Sequence, residues 1–474
     1  MATTKILFGE WLPDQPSVAG AVTDAVNCYP VSNGYAPFNS EYELSNAAGV
    51  PLLISFAGKF AGLTTLFAAS STNLYKYNAA NRNLVALTTT GYSGIQYWDV
   101  TQFGNKMIAA NGDYKLQAFT LNTGTQFADL AAAAPETKFV TVVRDFVVAA
   151  NEQGLENKVY WSDINDETNW TPSATSQSDF QIMPDGGDIT GLAGGEFGII
   201  FLERAIYRMS YAGSPLFFQF DAISRSLGCI SSGSIAQYAG LTYFLSDDGF
   251  YVCNGQTATS ISSEKMDRWF FEDASRVTLQ SSVSSAVDPI KRLVIWLYKT
   301  QSGFNRLVVY NILLQKWSYC ETTADSIASV LTPSVTLEDL DLYSASIDAL
   351  MASLDDPQWV GNQLLLAGTS GQKIITFGAA AKTASITTGD IDMGNSVITL
   401  ARPIVDNGSG SVSVASRRSL ADSITFSTAV PADAEGRCSL RNAGRYQRVK
   451  TTATGVNWKT MVGVNVDIQG QGSR

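Results

Sequence analysis

Histidine is absent from this chain of 474 residues. Its absence excludes Ser-His-Asp and Cys-His nucleophile systems, histidine-ligated zinc and the commonest general base near neutral pH. Any catalysis would therefore have to use the carboxyl groups of Asp and Glu.

Cysteine is scarce and the charge is mostly of one sign. The five cysteines are far apart and include no C-x-x-C pair, which favours buried free thiols over a disulfide framework or a zinc site. They are Cys28, Cys229, Cys253, Cys320 and Cys438. The net charge of −11 disfavours a surface that holds nucleic acid, because phosphate binding depends on clustered Lys and Arg. An acidic wall would let DNA pass without sticking, and the same charge would also keep the protein soluble.

Long apolar runs are missing as well. No run reaches the roughly 18 residues that a membrane span needs, and Ile6-Leu7-Phe8 is too brief for a signal peptide. The sequence therefore predicts a protein that has no membrane span and is synthesised in the cytoplasm.

The chain does contain a repeated pattern. An aromatic-rich alternating strand, a short Asn/Gly/Asp-rich turn and a second apolar strand recur seven times. The copies begin near Leu74, Tyr114, Val159, Ile206, Phe250, Leu307 and Ile374. The early copies are about 40 to 45 residues apart, which is the length of one four-stranded propeller blade. The pattern predicts an all-β protein whose main body is a β-propeller of about six blades.

The acidic clusters fit turns better than a catalytic pair. Asp247-Asp248-Gly249 stands between two apolar strands, where Asp-Gly supplies the positive φ of a tight hairpin. Residues 162–170 resemble the Ser-x-Asp-x-Gly-x-x-Trp turn of sialidase-like propellers, but the glycine is missing. The chain has neither a Gly-x-x-x-x-Gly-Lys-Ser/Thr phosphate loop nor a complete calcium loop. We therefore predict no enzyme activity, no cofactor and no metal site.

Residues 336–356 depart from the strand pattern. Thr336 followed by Glu338 and Asp339 is typical of a helix N-cap with acids in the first turn. Apolar residues follow at helical spacing up to Pro357; they are Leu340, Tyr343, Ile347, Leu350, Met351 and Leu354. This predicts a short amphipathic helix inserted in the propeller. The helix would pack either on its own propeller or on a neighbouring subunit.

The N-terminal residues combine proline with aromatic rings. Residues 11–16 have the sequence WLPDQP and residues 27–38 the sequence NCYPVSNGYAPF, with no regular period. Because proline lacks the N–H donor, we expect the segment to form no strand ladder of its own. We expect it to lie extended over another surface and to bury its rings there.

These phrases resemble the opening of the tail hub or nozzle (tail tubular) proteins of short-tailed, podovirus-like bacteriophages. Further phrases match that family in order, and they are YWS at 160–162 with NWT at 169–171, IYRM at 206–209 with FFQFD at 217–221, FLSDDGFY at 244–251 and DRWFF at 267–271. The C-terminal matches are RPIVD at 402–406, SRR at 416–418, GRYQRV at 444–449, and Trp458 through GVNV at 463–466. One departure is Gln447, where the family often has histidine.

The resemblance implies a structural virion protein. Family members form a ring, usually of six copies, at the distal end of the short tail, below an adaptor ring. Their propellers surround the channel through which the genome leaves, and fibres or spikes attach outside. For this chain it implies a homo-hexamer in the virion tail that lets DNA pass without sequence-specific binding. The family has no catalytic or cofactor residues to transfer.

The predicted organisation has three parts. They are an N-terminal extended arm at 1–45 that joins the platform, a β-propeller at 46–400 that carries the helical insertion, and a C-terminal β domain at 401–474. Basic residues are concentrated in the last part, at Arg437, Arg441, Arg445, Arg448 and Lys450. They would make ion pairs within the domain or between subunits, or line a path for DNA. The predicted subunit-interface residues are Trp11, Tyr29, Tyr35, Phe38, Arg441, Arg445 and Arg448.

A carbohydrate-binding or carbohydrate-hydrolysing propeller is the alternative. A hydrolase would show two acids on neighbouring inner strands facing a common pocket. A lectin would show exposed aromatic rings at equivalent positions of the blades. The order of the family phrases favours the tail protein.

Overall fold

The computed structural model describes residues 2–18, 20–88, 90–336, 338–344, 346–350, 354, 357–361 and 363–470. The chain opens with five short strands, which are β1 (Ala2–Leu7), β2 (Val22–Val26), β3 (Cys28–Val31), β4 (Gly34–Pro37) and β5 (Tyr42–Glu43). β3 and β4 form an antiparallel hairpin with Pro30 opposite Tyr35. The expectation of no strand ladder in this segment is therefore wrong. β3 is an edge strand of its sheet, where a missing N–H is tolerated.

Five four-stranded antiparallel sheets follow in chain order. The first is β6 (Leu52–Phe60), β7 (Leu63–Ser70), β8 (Leu74–Asn78) and β9 (Asn83–Ala86); the second is β10 (Asp99–Phe103), β11 (Lys106–Ala110), β12 (Gln117–Thr120) and β13 (Ala128–Asp129). The third is β14 (Thr137–Val143), β15 (Phe146–Glu152), β16 (Leu155–Trp161) and β17 (Asp179–Ile182). The fourth is β18 (Ile189–Ala193), β19 (Gly198–Leu202), β20 (Ile206–Gly213) and β21 (Phe217–Ser224). The fifth is β22 (Ala236–Tyr238), β23 (Leu241–Ser246), β24 (Gly249–Cys253) and β25 (Ala258–Ser260), preceded by a 3₁₀ turn at Ser232–Ser234.

Two further units complete the propeller. After the helices α1 (Asp267–Asp273) and α2 (Leu279–Ser282) come β26 (Ser284–Asp288), β27 (Leu293–Lys299), β28 (Asn305–Asn311) and β29 (Lys316–Thr322). The last blade contains β30 (Ser326–Leu331), β31 (Leu364–Ser370) and β32 (Lys373–Thr376). Its fourth strand is β5, which pairs with β32 through Glu43 and Ile375. The N-terminal segment thus supplies the strand that completes the last blade.

The predicted β-propeller is confirmed. The described residues form six separate four-stranded sheets, and β26–β29 are a seventh four-stranded unit that continues into a larger sheet. The hydroxyl of Ser285 on β26 donates to Ile235 O at 3.0 Å, and the hydroxyl of Ser329 on β30 donates to Val287 O at 2.9 Å. β26 therefore lies between the fifth and the last blade. Each of the seven predicted repeats contains or immediately precedes the third strand of one unit.

The C-terminal strands form the rest of the larger sheet. They are β33 (Ala384–Thr388), β34 (Ile391–Asp406), β35 (Ser409–Arg417), β36 (Val430–Pro431), β37 (Cys438–Thr454) and β38 (Thr460–Gly470). With β1–β4 and β26–β29 they make one fourteen-stranded sheet. We call β1–β4 and β33–β38 the platform. The predicted domain boundary at 401 falls inside β34. The platform begins earlier along the chain, at β33.

The predicted helix at 336–356 is wrong for the described residues of this range, which form no α-helix. Its N-cap forms, with the amide of Asp339 donating to Thr336 Oγ1 at 3.2 Å. The chain then makes two 3₁₀ turns, Glu338–Leu342 and Ile347–Ala349, and the helix α3 (Pro357–Val360). Leu340 and Tyr343 are three residues apart, a spacing that one 3₁₀ turn places on the same side. Tyr343 packs on the first blade of its own chain, where its hydroxyl lies 2.7 Å from that of Tyr77. Met351 lies outside the described residues, as do 352–353 and 355–356.

Candidate functional site

The platform brings the two ends of the chain together. β1 pairs antiparallel with β38 from Ala2 opposite Ile468 to Leu7 opposite Gly463. β4 also contacts β38, where Tyr35 is opposite Met461. β2 is antiparallel to β33 and makes a short parallel contact with β29. This strand therefore links the platform to the propeller.

Gly34 is required at the contact between β4 and β38. Its φ of +114° lies in the region that favours glycine, and a Cβ at this position would be 2.4 Å from Met461 O. Side chains of other residues cannot approach a backbone oxygen so closely. The Ser-Asn-Gly-Tyr turn of the N-terminal phrase is thus shaped by the C-terminal strand that it meets.

A buried ionic cluster lies inside the platform. The carboxylate of Asp390, whose side chain is 1% exposed, accepts from Arg417 Nη2 at 2.5 Å and from Arg448 Nη2 at 2.8 Å. Ser17 Oγ donates to the same carboxylate at 2.8 Å. Burial alone would raise the pKa of Asp390, but the hydrogen bonds from Arg448, Ser17 and Arg417 outweigh it and hold this pKa at about 2. The cluster joins the N-terminal segment to β35 and β37.

The predicted interface arginines have different roles. Arg448 is mostly buried and paired with Asp390 of its own chain, and its role as a contact to a neighbouring subunit stays a prediction. Arg445 makes an exposed ion pair with Asp392 at 2.9 Å. Both arginines therefore have ion-pair partners within the domain, one of the alternatives left open by the sequence. Arg441 is exposed on β37 and has no hydrogen bond or ion pair among the described residues, so its interface role stays a prediction.

Three of the four predicted interface aromatics are core residues of their own chain. Trp11, Tyr35 and Phe38 are at most 2% exposed. Trp11 packs edge-on against Trp269 with ring centroids 4.8 Å apart. The prediction of a subunit contact is therefore wrong for these three, because their own chain already covers the rings. Trp11 and Tyr35 lie in the core shared by the platform, α1 and β26–β29, and Phe38 packs on Phe377 between β26–β29 and the last blade. Tyr29 is half-buried and its interface role stays a prediction.

Asp14 has a role that the sequence reasoning missed. Its carboxylate accepts from the backbone amides of Arg268 at 2.8 Å and Trp269 at 2.9 Å. These amides belong to the first turn of α1, where the intrahelical acceptors are missing. The sequence signal for this role was an acid between two prolines in an aromatic-rich segment. Its partner Arg268 is 254 residues away along the chain.

The propeller contains a polar cavity of about 490 Å³. The second to fourth blades, the 3₁₀ turn at Ser232–Ser234 and α2 line it. Four carboxylates face it, from Asp113, Glu156, Asp188 and Glu203, together with Lys138. Asp113, Asp188 and Glu203 are exposed, and a backbone hydrogen bond from Gly154 lowers the pKa of Glu156. A glycosidase needs a carboxyl group that stays protonated through burial, so this set suits binding better than hydrolysis.

A neighbouring cavity contains a carboxyl group of a different kind. The half-buried Asp99 on β10 lies among the inner strands. Its carboxylate accepts from the amide of Val140 on β14 at 2.9 Å and from its own neighbour Val100 at 3.1 Å. Burial raises the pKa of Asp99 to about 7, although these two hydrogen bonds oppose the shift. Because its two carboxylate oxygens accept hydrogen bonds from backbone amides of the second and third blades, we assign Asp99 a structural role.

The remaining candidates concern metals, thiols and membranes. Within the described ranges, no group of three or more His, Cys, Asp or Glu residues could hold a metal ion. All five cysteines are buried and free, which confirms the predicted burial. Among the described residues, no helix has both the length and the apolar character to cross a membrane.

Comparisons with known proteins give only distant similarities. No protein-family model and no curated protein matches the chain. Among solved structures, the WD40 repeats of RRP9 are similar with a TM-score of 0.39 and 10% identity over 62% of this chain and 89% of that one. U3-55K gives 0.39 and 10% over 61% and 88%, and the computationally designed Ika8 protein gives 0.36 and 12% over 80% and 99%. The assignment to the class of β-propellers follows from the strand pairing of the chain itself.

Proposed function

We propose that this chain is a structural virion protein of a short-tailed phage. In this role it forms the ring-shaped tail nozzle or hub around the genome-ejection channel and carries fibres or spikes. The observation that carries the proposal is the single sheet shared by both chain ends and one propeller unit. A continuous hydrogen-bonded sheet fixes the propeller relative to the platform. A subunit of a ring requires this rigid connection, because the contacts that one domain makes with neighbouring copies must also fix the orientation of the other domain.

The charge distribution supports the same role. The arginines of the platform are largely paired with acids of the same domain, as Arg417 and Arg448 are with Asp390. Paired arginines offer little to phosphates, and the net charge of −11 repels a polyanion. DNA in transit would therefore pass without sequence-specific binding. The ordered family phrases of the sequence support this proposal over a carbohydrate-hydrolysing propeller.

Under this proposal the partners are further copies in a homo-hexamer, the tail adaptor ring, and fibres or spikes. The protein is synthesised in the host cytoplasm and is located in the virion tail. Of the three predicted interface arginines, Arg441 is the one we assign to a contact between copies, because it is exposed and its charge has no partner among the described residues. A carboxylate of the next copy would complete an ion pair there.

Charge reversal at Arg441 tests the proposal. The control is Lys59→Glu, the same change of charge at an exposed residue of the first blade. Mass photometry of the purified full chain should show closed rings for the wild type and for Lys59→Glu, and smaller species for Arg441→Glu. Equal assembly of the two variants would contradict the role of Arg441. A monomeric wild type at all concentrations would contradict the ring itself.

A further inference from the structure

Two buried side-chain donors in the polar cavity have no partner. Asn111 is 6% exposed, and its Oδ1 accepts from the amides of Asp113 and Tyr114, both at 2.9 Å. Its Nδ2 has no acceptor among the residues that the structure describes. Thr190 is 8% exposed and its Oγ1 is likewise unpartnered. Both residues line the cavity. Buried donors are nearly always satisfied in native proteins, so two that line one cavity point to a ligand that accepts hydrogen bonds there.

The rest of the wall supplies acceptors in excess. Four carboxylates line the cavity, and Lys138 is the only charged donor among the described residues of its wall. An anion would therefore be repelled, and a metal ion is not favoured, since the described residues contain no cluster of ligands that could hold one. A hydroxyl group can pair with both the acceptors and the donors of the wall, because it donates to a carboxylate while accepting from an amide or a threonine hydroxyl.

We propose that this cavity binds a hydroxyl-rich, uncharged or cationic ligand of one to three sugar units. Asn111 Nδ2 and Thr190 Oγ1 donate to its hydroxyl oxygens, and the carboxylates of Asp113, Asp188 and Glu203 accept from its hydroxyl groups. The volume of about 490 Å³ lies within the usual range for small-molecule sites, about 300–1,000 Å³. This inference is independent of the tail role, because the cavity lies within one propeller and needs no second copy.

The test uses single substitutions that remove a donor and keep the shape of the side chain. Thr190→Val removes the hydroxyl donor, and Asn111→Asp removes the amide donor while keeping the oxygen that accepts from Asp113 and Tyr114. The matched control is Thr137→Val. Thr137 is buried like Thr190 and has an unpartnered Oγ1 among the described residues, but it is not part of the cavity wall. Circular dichroism melting establishes that each variant is folded.

The probes are maltose, cellobiose, N,N′-diacetylchitobiose and glucosamine, with inorganic phosphate as the anionic control. Saturation-transfer NMR and calorimetry on the full-length chain should detect at least one of the sugars and no phosphate. Thr190→Val and Asn111→Asp should each weaken binding about tenfold, the discrimination expected when one hydrogen bond to a ligand hydroxyl is lost. Thr137→Val should bind like the wild type.

Three results would overturn the inference. The first is that none of the four sugars binds at millimolar concentration. The second is that Thr190→Val and Thr137→Val bind a sugar equally well. The third is a crystal structure at saturating sugar in which only ordered water reaches Asn111 and Thr190. None of these results bears on ring assembly, which is measured separately.

Discussion

Asp390 accepts hydrogen bonds from Arg448 on β37 at 2.8 Å inside the platform, and Ser17 from the opposite end of the chain donates to the same carboxylate. The Ser17 hydroxyl ties the N-terminal segment to the C-terminal strands by a hydrogen bond to this buried carboxylate, in addition to the strand pairing. Asp390 also gives the charge of Arg448 a partner within its own chain. The stability of the platform should therefore depend on the charge of one carboxylate.

Replacing Asp390 with Asn should destabilise the protein strongly. Removing one partner of a buried ion pair leaves Arg417 and Arg448 without a counter-charge and costs about 3–5 kcal/mol. Urea unfolding at pH 7 measures the loss. The control is Asp392→Asn, which breaks the exposed pair with Arg445 and should change the midpoint little. Equal effects of the two substitutions would show that the buried cluster contributes nothing particular.

Acid should remove the contribution of Asp390. Its pKa of about 2 in the folded protein is below the unfolded value of 3.8, so the stabilisation is present above pH 3.8 and is lost as the pH falls through about 2. The shift corresponds to about 2 kcal/mol. Unfolding free energies of the wild type between pH 5 and pH 2 should fall by about that amount more than those of Asp390→Asn. Parallel curves would contradict this assignment.

Asp99 should give the opposite pH dependence. Its pKa of about 7 in the folded protein lies above the unfolded value of 3.8, so the folded state holds the proton more tightly. Stability from this group is greatest below the unfolded pKa and is lost as the pH rises through about 7. Melting temperatures of the wild type should fall more steeply from pH 4 to pH 8 than those of Asp99→Asn. The same slope in both proteins would rule out Asp99 as the source.

Alanine at Gly34 should disrupt the joint between the chain ends. The new Cβ would be 2.4 Å from Met461 O, in addition to the strain of φ +114°. Gly20→Ala is the matched control, since its φ is +78° and nothing lies within 4 Å of the added Cβ. Strain at a positive φ costs about 1 kcal/mol, so Gly20→Ala should lose about that much and Gly34→Ala clearly more. Equal losses in chemical denaturation would contradict the close approach.

The local pattern of the sequence was sufficient to predict the propeller. Each repeat marks the third strand of a unit, and the Asp247-Asp248 turn joins β23 to β24, where Ser246 is opposite Gly249. These features depend on neighbouring residues, so periodicity and turn chemistry specify them. The wide spacing of the cysteines likewise favoured buried free thiols, and all five are buried and free.

Contacts between distant parts of the chain could not be predicted in this way. β1 pairs with a strand more than 450 residues later, and no local period records such a partner. The aromatic phrase around Trp11 correctly signalled burial, but the sequence did not distinguish burial in its own platform from burial between copies. The helical spacing at 336–354 was overridden by packing, since Tyr343 is held against Tyr77 and Arg82 of the first blade.

Electron microscopy of the purified full-length chain would show whether the protein assembles as a ring. We expect closed rings, six-fold by family resemblance, in which the platforms of adjacent copies meet and the propellers surround an open channel. Particles that stay monomeric at every concentration, or rings joined through the propellers with the platforms apart, would contradict it.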